Sequence, residues 1–285
     1  MKLYREFEDQ AALDEEYDPS RAVPDAQARM ADWPDRSARA LARLPHELGV
    51  RYGPTLAERL DIFPAGAGAP VHVFLHGGYW RRFSARDFAW VAEPLAARGV
   101  TAVLVNYALC PEVTLTEIVR QIRAAIAWCH RKVGRFGGDP ARLTLSGHSA
   151  GGHLVAMALA TDWQGRYGLP SNLVAGSLAI SGLFDLRPFP YTYLQPALQL
   201  TTAEVLALSP IDLEPACPAP LEVTVGGEES AEFRRQSRSF AERWRARGAD
   251  CRHGEIEGAN HFTVLDAVFA ARSPLLDRLL ATARR

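Results

Sequence analysis

Ser149 has the sequence surroundings of a catalytic nucleophile. It lies in the run Ser146-Gly147-His148-Ser149-Ala150-Gly151-Gly152-His153, which follows an apolar stretch ending at Leu145 and precedes a helix-forming stretch. Strand, tight turn and helix in this order form a nucleophile elbow, which lifts the serine hydroxyl clear of the sheet. Glycines on either side of the serine allow strand and helix to approach closely. The pattern predicts nucleophilic catalysis at Ser149, with the N–H of Ala150 available to an oxyanion.

A serine hydroxyl is unreactive until a base removes its proton, so a histidine must lie within hydrogen-bonding reach. Of the eight histidines, His261 is the best placed, because it follows the last predicted strand and opens the last predicted helix. His148 and His153 are too close in sequence to bend back onto Ser149, and we expect them to pack or form hydrogen bonds beneath it. His76 is expected to brace the glycine loop that it begins.

The base in turn needs a carboxylate that holds its tautomer and stabilises the imidazolium. Glu228 and Glu229 follow the strand after which this acid is expected, and Asp185 follows the preceding strand. Aspartate is the commoner acid in such triads, and the order of the residues leaves these three candidates open. Asp212 and Asp266 are more simply interpreted as helix-terminal or solvated carboxylates.

Backbone donors for a tetrahedral intermediate are predicted in the run His76-Gly77-Gly78-Tyr79-Trp80. This run directly follows the apolar residues 71–75, and its glycines let the backbone turn N–H groups inward. We assign the role to Gly78 and Tyr79, together with Ala150. Residues near the expected cavity mouth are candidate substrate contacts; their aromatic rings either stack on an aryl group or pack in the core and lid. They are Gly77, Tyr79, Trp80, Phe83, Tyr191 and Tyr193.

The elements that position these residues alternate along the chain, which predicts an α/β fold with a mostly parallel sheet and helices on both faces. Strands are predicted at 56–63, 71–75, 100–105, up to 145, 173–180, 221–225 and 251–256, and helices at 26–31, 35–44, 84–98, 116–133, 154–160, 231–247 and 262–282. The whole chain, 1–285, is interpreted as a single domain. Residues 1–50 form an arm packed over it, either over the active-site mouth or as a structural brace. The insertion 186–220 is a candidate lid.

Composition argues against several other classes of protein. The chain has 285 residues, 48% of them hydrophobic, and a formal net charge of −1 without a block of like charges, so neither nucleic acid nor a membrane is an expected partner. Four scattered cysteines indicate reduced residues, and no metal-binding or nucleotide-binding motif is present. The N-terminal residues do not have the pattern of a signal peptide. We therefore expect a cytoplasmic enzyme with a small-molecule substrate and no cofactor, and a homodimer is left open.

The chain resembles an α/β-hydrolase of the arylformamidase (kynurenine formamidase) type, a neighbour of the hormone-sensitive-lipase-like esterases. The resemblance spans about residues 50–265, and the N-terminal arm, residues 1–50, also resembles this family. It rests on six motifs: His76-Gly77-Gly78-Tyr79-Trp80, Phe136-Gly137-Gly138-Asp139-Pro140, Ser146-Gly147-His148-Ser149-Ala150-Gly151-Gly152-His153, Ser181-Gly182-Leu183-Phe184-Asp185-Leu186-Arg187-Pro188, Glu232-Phe233-Arg234-Arg235-Gln236-Ser237 and Asn260-His261-Phe262. The Tyr-Trp pair stands where lipase-like esterases usually carry a third glycine, which favours the formamidase branch.

The resemblance implies an α/β-hydrolase fold and the hydrolysis of N-formyl-kynurenine to kynurenine and formate through an acyl-enzyme. In this family the acid precedes a Ser-x-Glu-Phe run, which implies that Glu229 completes a triad with Ser149 and His261, with glutamate in place of aspartate. The alternative is a carboxylesterase or amidase for another small ester, amide or carbamate. Such an enzyme would use the same catalytic residues with a different substrate pocket. A third hypothesis, an inactive hydrolase fold used for binding, conflicts with the intact serine, histidine and glycine loop.

Overall fold

The computed structural model describes residues 2–283, which build one eight-stranded sheet. The strands are Glu47–Arg51 (β1), Arg59–Phe63 (β2), Ala69–Leu75 (β3), Thr101–Val105 (β4), Gly138–His148 (β5), Gly176–Ile180 (β6), Leu221–Gly226 (β7) and Cys251–Ile256 (β8). The helices are Gln10–Tyr17 (α1), Pro19–Ala22 (α2), Ala26–Arg43 (α3), Ala92–Ala96 (α4), Leu115–Lys132 (α5), Ala150–Leu159 (α6), Trp163–Tyr167 (α7), Gln195–Leu198 (α8), Thr202–Ala207 (α9), Ala231–Ala246 (α10), Thr263–Val268 (α11) and Pro274–Thr282 (α12). Short 3₁₀ turns lie at Ala85–Val91, Val133–Phe136, Phe189–Tyr191 and Pro210–Asp212.

The strands follow the order β1-β2-β4-β3-β5-β6-β7-β8 across the sheet. At one end, β1 and β2 run antiparallel to their neighbours, whereas every pairing from β4 to β8 is parallel. The predicted α/β architecture with a mostly parallel sheet is therefore confirmed. Because β3, β5, β6, β7 and β8 are parallel, the residues that follow them gather at one edge of the sheet, which is where α/β proteins bind their ligands.

Side chains that alternate along the strands fill two cores, one on each face of the sheet. On β3, Val71, Val73 and Leu75 belong to one core, and Phe74 belongs to the other. Helices α5, α6 and α10 cover the first core, and α3, α4, α11 and α12 cover the second. Burying one such side chain contributes about 1.5–3 kcal/mol. Burial on both faces therefore fixes the strands whose ends carry the site.

Helix α3 is continuous where the sequence indicated two helices on either side of Pro34. A proline inside a helix removes one backbone hydrogen bond and costs about 3 kcal/mol. The neighbouring Trp33 is buried, and its ring packs against Phe83 and Phe88 at centroid distances of 5.4 and 4.9 Å. This aromatic packing offsets the cost of the proline and keeps the helix in one piece.

Two predicted helices are broken, and one strand was not predicted. Region 84–98 starts as a 3₁₀ turn in which Phe88 leaves helical dihedral angles before α4 begins. The closing helix restarts at α12, because Ser273 caps a new N-terminus and Pro274 occupies its first position, where a missing N–H costs nothing. Strand β1 was not predicted, because it is an exposed edge strand without an apolar run.

The N-terminal arm packs against α10 and the insertion 186–220 through buried and partly buried hydrogen bonds. The hydroxyl of Tyr17 donates to Oε2 of Glu232 at 2.7 Å and accepts from Nε2 of Gln236 at 2.8 Å. A carboxylate oxygen of Asp14 accepts the backbone N–H of Tyr193 at 2.7 Å. These bonds join residues far apart in the sequence, so they fix the position of the arm on the sheet domain.

The insertion 186–220 is packed into the first core rather than standing away from it. Leu186, Phe189, Leu194 and Leu198 are all buried there. Movement of this segment as a lid stays a prediction. Within residues 2–283, no helix has the length and apolar content that crossing a bilayer would demand.

Candidate active site

Ser149 occupies the sharp turn between β5 and α6. Its backbone has φ +56° and ψ −117°, a strained conformation for a residue with a side chain. The turn is held by the N–H of Ser149, which donates to the carbonyl of Ile180 at 2.8 Å. Only glycine fits at position 151, since a Cβ there would lie 2.0 Å from the carbonyl oxygen of Leu75. The geometry is that of a nucleophile elbow, as the sequence predicted.

His261 follows β8 and is hydrogen-bonded to Glu229, which follows β7. Nδ1 of His261 lies 2.6 Å from Oε2 of Glu229, and both side chains are buried. An ionised carboxylate can only accept, so Nδ1 carries the proton and Nε2 keeps a free lone pair. This is the tautomer that a general base requires.

Three hydrogen bonds hold the Glu229 carboxylate. Besides the bond to His261, its Oε1 accepts the hydroxyl of Ser181 at 2.5 Å and the N–H of Gly226 at 2.7 Å. Ser181 follows β6 and has a positive φ of 51°, so a second strained serine supports the acid. Sequence reasoning missed this role of Ser181. The signal was its place directly after a strand, at the edge where the other candidate residues lie.

The other candidate acids lie elsewhere. Asp185 binds Arg187 at 2.7 Å and the hydroxyl of Tyr4 at 2.7 Å. Burial by itself would raise the pKa of Asp185, but these hydrogen bonds outweigh it and hold that pKa below its ordinary value. Glu228 is exposed. Asp212 pairs with Arg243 and Asp266 pairs with Arg36.

Three histidines near the elbow have supporting contacts. Nε2 of His148 donates to the carbonyl of His261 at 2.9 Å, and Nε2 of His153 donates to the carbonyl of Leu208 at 2.7 Å. The ring of His76 stacks on Tyr107 at 4.2 Å between ring centroids, and its Nδ1 donates to the carbonyl of Gly77. Burial keeps the pKa of His148 well below its ordinary value and lowers the pKa of His76 to about 4, so both rings stay neutral and structural.

The loop after β3 is strongly bent. Gly78, Tyr79, Trp80 and Phe83 all have positive φ, and a Cβ on Gly78 would lie 2.4 Å from the carbonyl oxygen of Arg82. Within residues 2–283, no acceptor takes the N–H of Gly78 or Tyr79. Ala150 is the first residue of α6, where an N–H has no partner in its own helix. These three groups are free to donate to an oxyanion.

Ser149 and His261 line the same cavity, which has a volume of about 570 Å³. Of the other predicted residues, Gly77, Gly78, Tyr79, Phe83 and Tyr193 also line it. Glu229, which is hydrogen-bonded to His261, and Ala150 are not among the residues that line it. Among the described side chains no hydrogen bond joins Ser149 to His261. Such bonds are often long in unliganded hydrolases and tighten when substrate binds.

Two predicted substrate contacts are wrong. Trp80 is fully buried and does not line the cavity, since its ring packs against His153 and Phe189 at centroid distances of 5.0 and 6.1 Å. Tyr191 is 45% exposed in a 3₁₀ turn of the insertion and does not reach the cavity.

The arm forms part of the cavity wall, in keeping with one of the two positions that the sequence left open for it. Seven of its residues line the space, so the arm lies over the active-site mouth: Asp18, Pro19, Ser20, Gln27, Met30, Ala31 and Trp33. The remaining lining residues are Arg81, Arg82, Phe88, His148 and Phe262. No group of three His, Cys, Asp or Glu side chains in the described part of the chain has the arrangement of metal ligands.

Residues 72–265 match the family model of the α/β-hydrolase fold. The chain belongs to the α/β-hydrolase family. It is similar to the kynurenine formamidase of Danio rerio, with 28% identity over 94% of each chain, and to that of Salmo salar, with 31% identity over 77% of this chain and 76% of the salmon protein. Among solved structures, a provisionally assigned thioesterase from Silicibacter sp. TM1040 superposes with a TM-score of 0.84 and 28% identity, over 96% of this chain and 99% of that one. The protein is therefore a hydrolytic enzyme of this family.

Proposed function

We propose that this α/β-hydrolase cleaves a small aryl formamide, converting N-formyl-kynurenine to kynurenine and formate through an acyl-enzyme. The observation that carries the proposal is the hydrogen-bonded pair of His261 and Glu229 opening onto the cavity that contains Ser149. Similarity to two kynurenine formamidases over most of the chain supports the choice of substrate.

In the proposed mechanism Ser149 is the nucleophile and His261 the general base. Nε2 of His261 takes the hydroxyl proton while Oγ attacks the formyl carbon, and Glu229 stabilises the imidazolium that forms. The negative charge on the former carbonyl oxygen is held by the N–H groups of Gly78, Tyr79 and Ala150. His261 then donates its proton to the departing aryl-amine nitrogen. Water attacks the formyl ester in the same way and releases formate.

The walls of the cavity suit an aryl leaving group. The ring of Trp33 packs against Phe83, Phe88 and Phe262 at centroid distances of 5.4, 4.9 and 6.2 Å. A volume of about 570 Å³ falls within the range of about 300–1,000 Å³ that is common for small-molecule sites. An aromatic ring placed here would contact apolar faces, while its formyl group would reach Ser149.

The second candidate is the hydrolysis of another small ester, thioester or amide with the same residues. Similarity to the provisionally assigned thioesterase favours it. A cytoplasmic location belongs to either proposal and is supported by the four cysteines, all of which are buried and unpaired.

A substrate panel separates the two candidates. The purified chain should hydrolyse N-formyl-kynurenine with a higher kcat/KM than 4-nitrophenyl acetate, 4-nitrophenyl butyrate or acetyl-coenzyme A. Ser149→Ala should lower kcat by roughly 10⁴-fold or more on every substrate that is turned over, and should abolish labelling by a fluorophosphonate probe. Fast ester or thioester turnover without formamide turnover would select the second candidate.

A further inference from the structure

We infer that Arg81 and Arg82 form an anion-binding subsite in the active-site cavity, which selects substrates that carry a carboxylate. The inference rests on the proposed hydrolytic role of Ser149 and goes beyond it by assigning a binding site. Both arginines line the cavity that contains Ser149 and His261.

Neither arginine has an acidic partner. Within residues 2–283 the two side chains form no ion pair and no hydrogen bond, and Nε of Arg81 is buried without an acceptor. The guanidinium of Arg81 lies 5.6 Å from the ring centroid of Tyr193, and that of Arg82 lies 5.1 Å from the ring centroid of Phe83. Arg81 is half-buried, whereas Arg82 is exposed. The guanidinium of Arg81, partly desolvated against an aromatic ring, loses hydration which this contact only partly replaces. A bound carboxylate would supply the missing acceptors.

The other charged groups of the cavity do not neutralise this pair. The one carboxylate in the lining is that of Asp18, which caps α2 by accepting the N–H of Ser20 at 3.0 Å and lies 3.4 Å from Nε of Arg21. His148 is kept neutral by burial. Two guanidinium groups therefore face one carboxylate that already has partners, and the cavity attracts anions.

The subsite and the proposed oxyanion donors share one turn of the backbone. The N–H groups of Arg81 and Arg82 donate to the carbonyl of Gly78 at 3.1 and 3.0 Å. A carboxylate held by these arginines is thus tied to the same turn that carries the N–H groups of Gly78 and Tyr79. Binding the anion would orient the scissile carbonyl as well as attract the substrate.

The test compares substrates that differ only in the carboxylate. One pair is N-formyl-kynurenine and its carboxamide, and a second pair is 3-(4-acetoxyphenyl)propionate and its carboxamide. Charge-assisted hydrogen bonds of this kind correspond to a preference of roughly 10- to 100-fold in kcat/KM for the acid. Arg81→Gln and the double variant with Arg82→Gln should reduce this acid-to-amide ratio towards one, mainly through KM. Arg135→Gln, which removes an exposed arginine outside the cavity, should leave the ratio unchanged.

The outcomes separate the subsite from the proposed function. Turnover of the ester pair without turnover of the formamide pair would reject the formamidase function. The acid-to-amide ratio of kcat/KM for the ester pair would still test the subsite. Equal kcat/KM for acid and amide in the wild type, or an Arg81→Gln effect that is equal on both, would overturn the subsite. Calorimetry on Ser149→Ala with 4-phenylbutyrate and its amide measures binding without turnover. The inference requires a lower Kd for the acid than for the amide.

Discussion

The hydroxyl of Ser181 donates a hydrogen bond of 2.5 Å to one oxygen of Glu229, whose other oxygen binds Nδ1 of His261 at 2.6 Å. Glutamate is one methylene longer than the aspartate that is commoner in such triads, so its carboxylate has an additional rotatable bond. Ser181 and the N–H of Gly226 remove that freedom by fixing the oxygen that faces away from the histidine. Ser181 is thus a positioning residue for the acid, and it acts through Glu229.

Removing the hydroxyl of Ser181 should therefore slow the chemistry more than it weakens binding. We expect Ser181→Gly to lower kcat by roughly 10- to 100-fold, the equivalent of one hydrogen bond to a charged group, with little change in KM. Ser181→Ala loses the same bond and keeps the strained positive φ, so its thermal stability should be lower than that of Ser181→Gly. Equal kcat for the wild type and both variants would show that the acid needs no such support.

Glu229→Gln should be far more damaging than its similar shape suggests. Both Ser181 and the N–H of Gly226 require an acceptor, so the amide oxygen would face them and the NH₂ group would face His261. His261 would then adopt the tautomer that protonates Nε2, and kcat should fall by roughly 10⁴-fold. Glu229→Asp should lose less, because a carboxylate still accepts the Nδ1 proton of His261. It should still lose some activity, because the shorter side chain cannot reach both His261 and the pair of Ser181 and Gly226. Steady-state kinetics on N-formyl-kynurenine and on an acetate ester measure both, and a Gln variant as active as the Asp variant would contradict the argument.

Loosening the arm should affect binding before it affects chemistry. Tyr17→Phe removes the buried hydroxyl that joins α1 to Glu232 and Gln236, at a cost of about 1 to 3 kcal/mol of arm docking. We expect a higher KM for an aryl formamide, a smaller change with 4-nitrophenyl acetate, and faster tryptic cleavage after Arg21 or Arg29. Tyr167→Phe, which lies in α7 away from the cavity, is the matched control. Unchanged KM and unchanged cleavage in Tyr17→Phe would show that the arm is held by its apolar contacts alone.

The stability of the fold should fall steeply in mild acid. Burial lowers the pKa of His72 to about 3 and those of His76 and His153 to about 4, and holds the pKa of His148 well below its ordinary value. An unfolded histidine binds a proton near pH 6.5, whereas these folded residues do not. Each one therefore contributes stability that is complete above about pH 6.5 and is lost below it, at up to about 1.4 kcal/mol per pH unit.

Guanidinium unfolding between pH 5.5 and 8 checks this pH dependence. His72→Gln can still bond to Thr144 and Ser146, which hold the imidazole at 2.8 and 2.7 Å, and its free energy of unfolding should fall less steeply below pH 6.5. Val73→Ala, in the same strand, should lower stability at every pH and keep the wild-type slope. If the free energy of unfolding of His72→Gln falls with pH as steeply as that of the wild type, His72 does not contribute to the pH dependence.

Local sequence patterns predict that Ser149 and His261 share one site, and both line the same cavity. Contacts between neighbouring strands of the sheet could not be predicted from such patterns. Ser149 and His261 could be proposed from the sequence because each lies in a short run with its own strand and helix. Ser181 was missed because its role depends on β6 lying beside β7, which places it against a residue 48 positions later. Nothing in the sequence near Trp33 shows where the arm packs. The sequence therefore did not reveal which residues form this wall of the cavity. Trp80 was misplaced because aromatic character alone does not distinguish a ring that lines a cavity from a ring that packs in the core.

The proposed catalytic residues and part of the cavity wall come from different stretches of the chain. The family match begins at residue 72, yet seven of the nineteen residues around the cavity come from the first 33 residues. A change confined to the arm would therefore alter this part of the cavity wall and leave Ser149, Glu229 and His261 in place. For the same reason, a purification tag fused ahead of the arm is attached to the segment that supplies this part of the cavity wall.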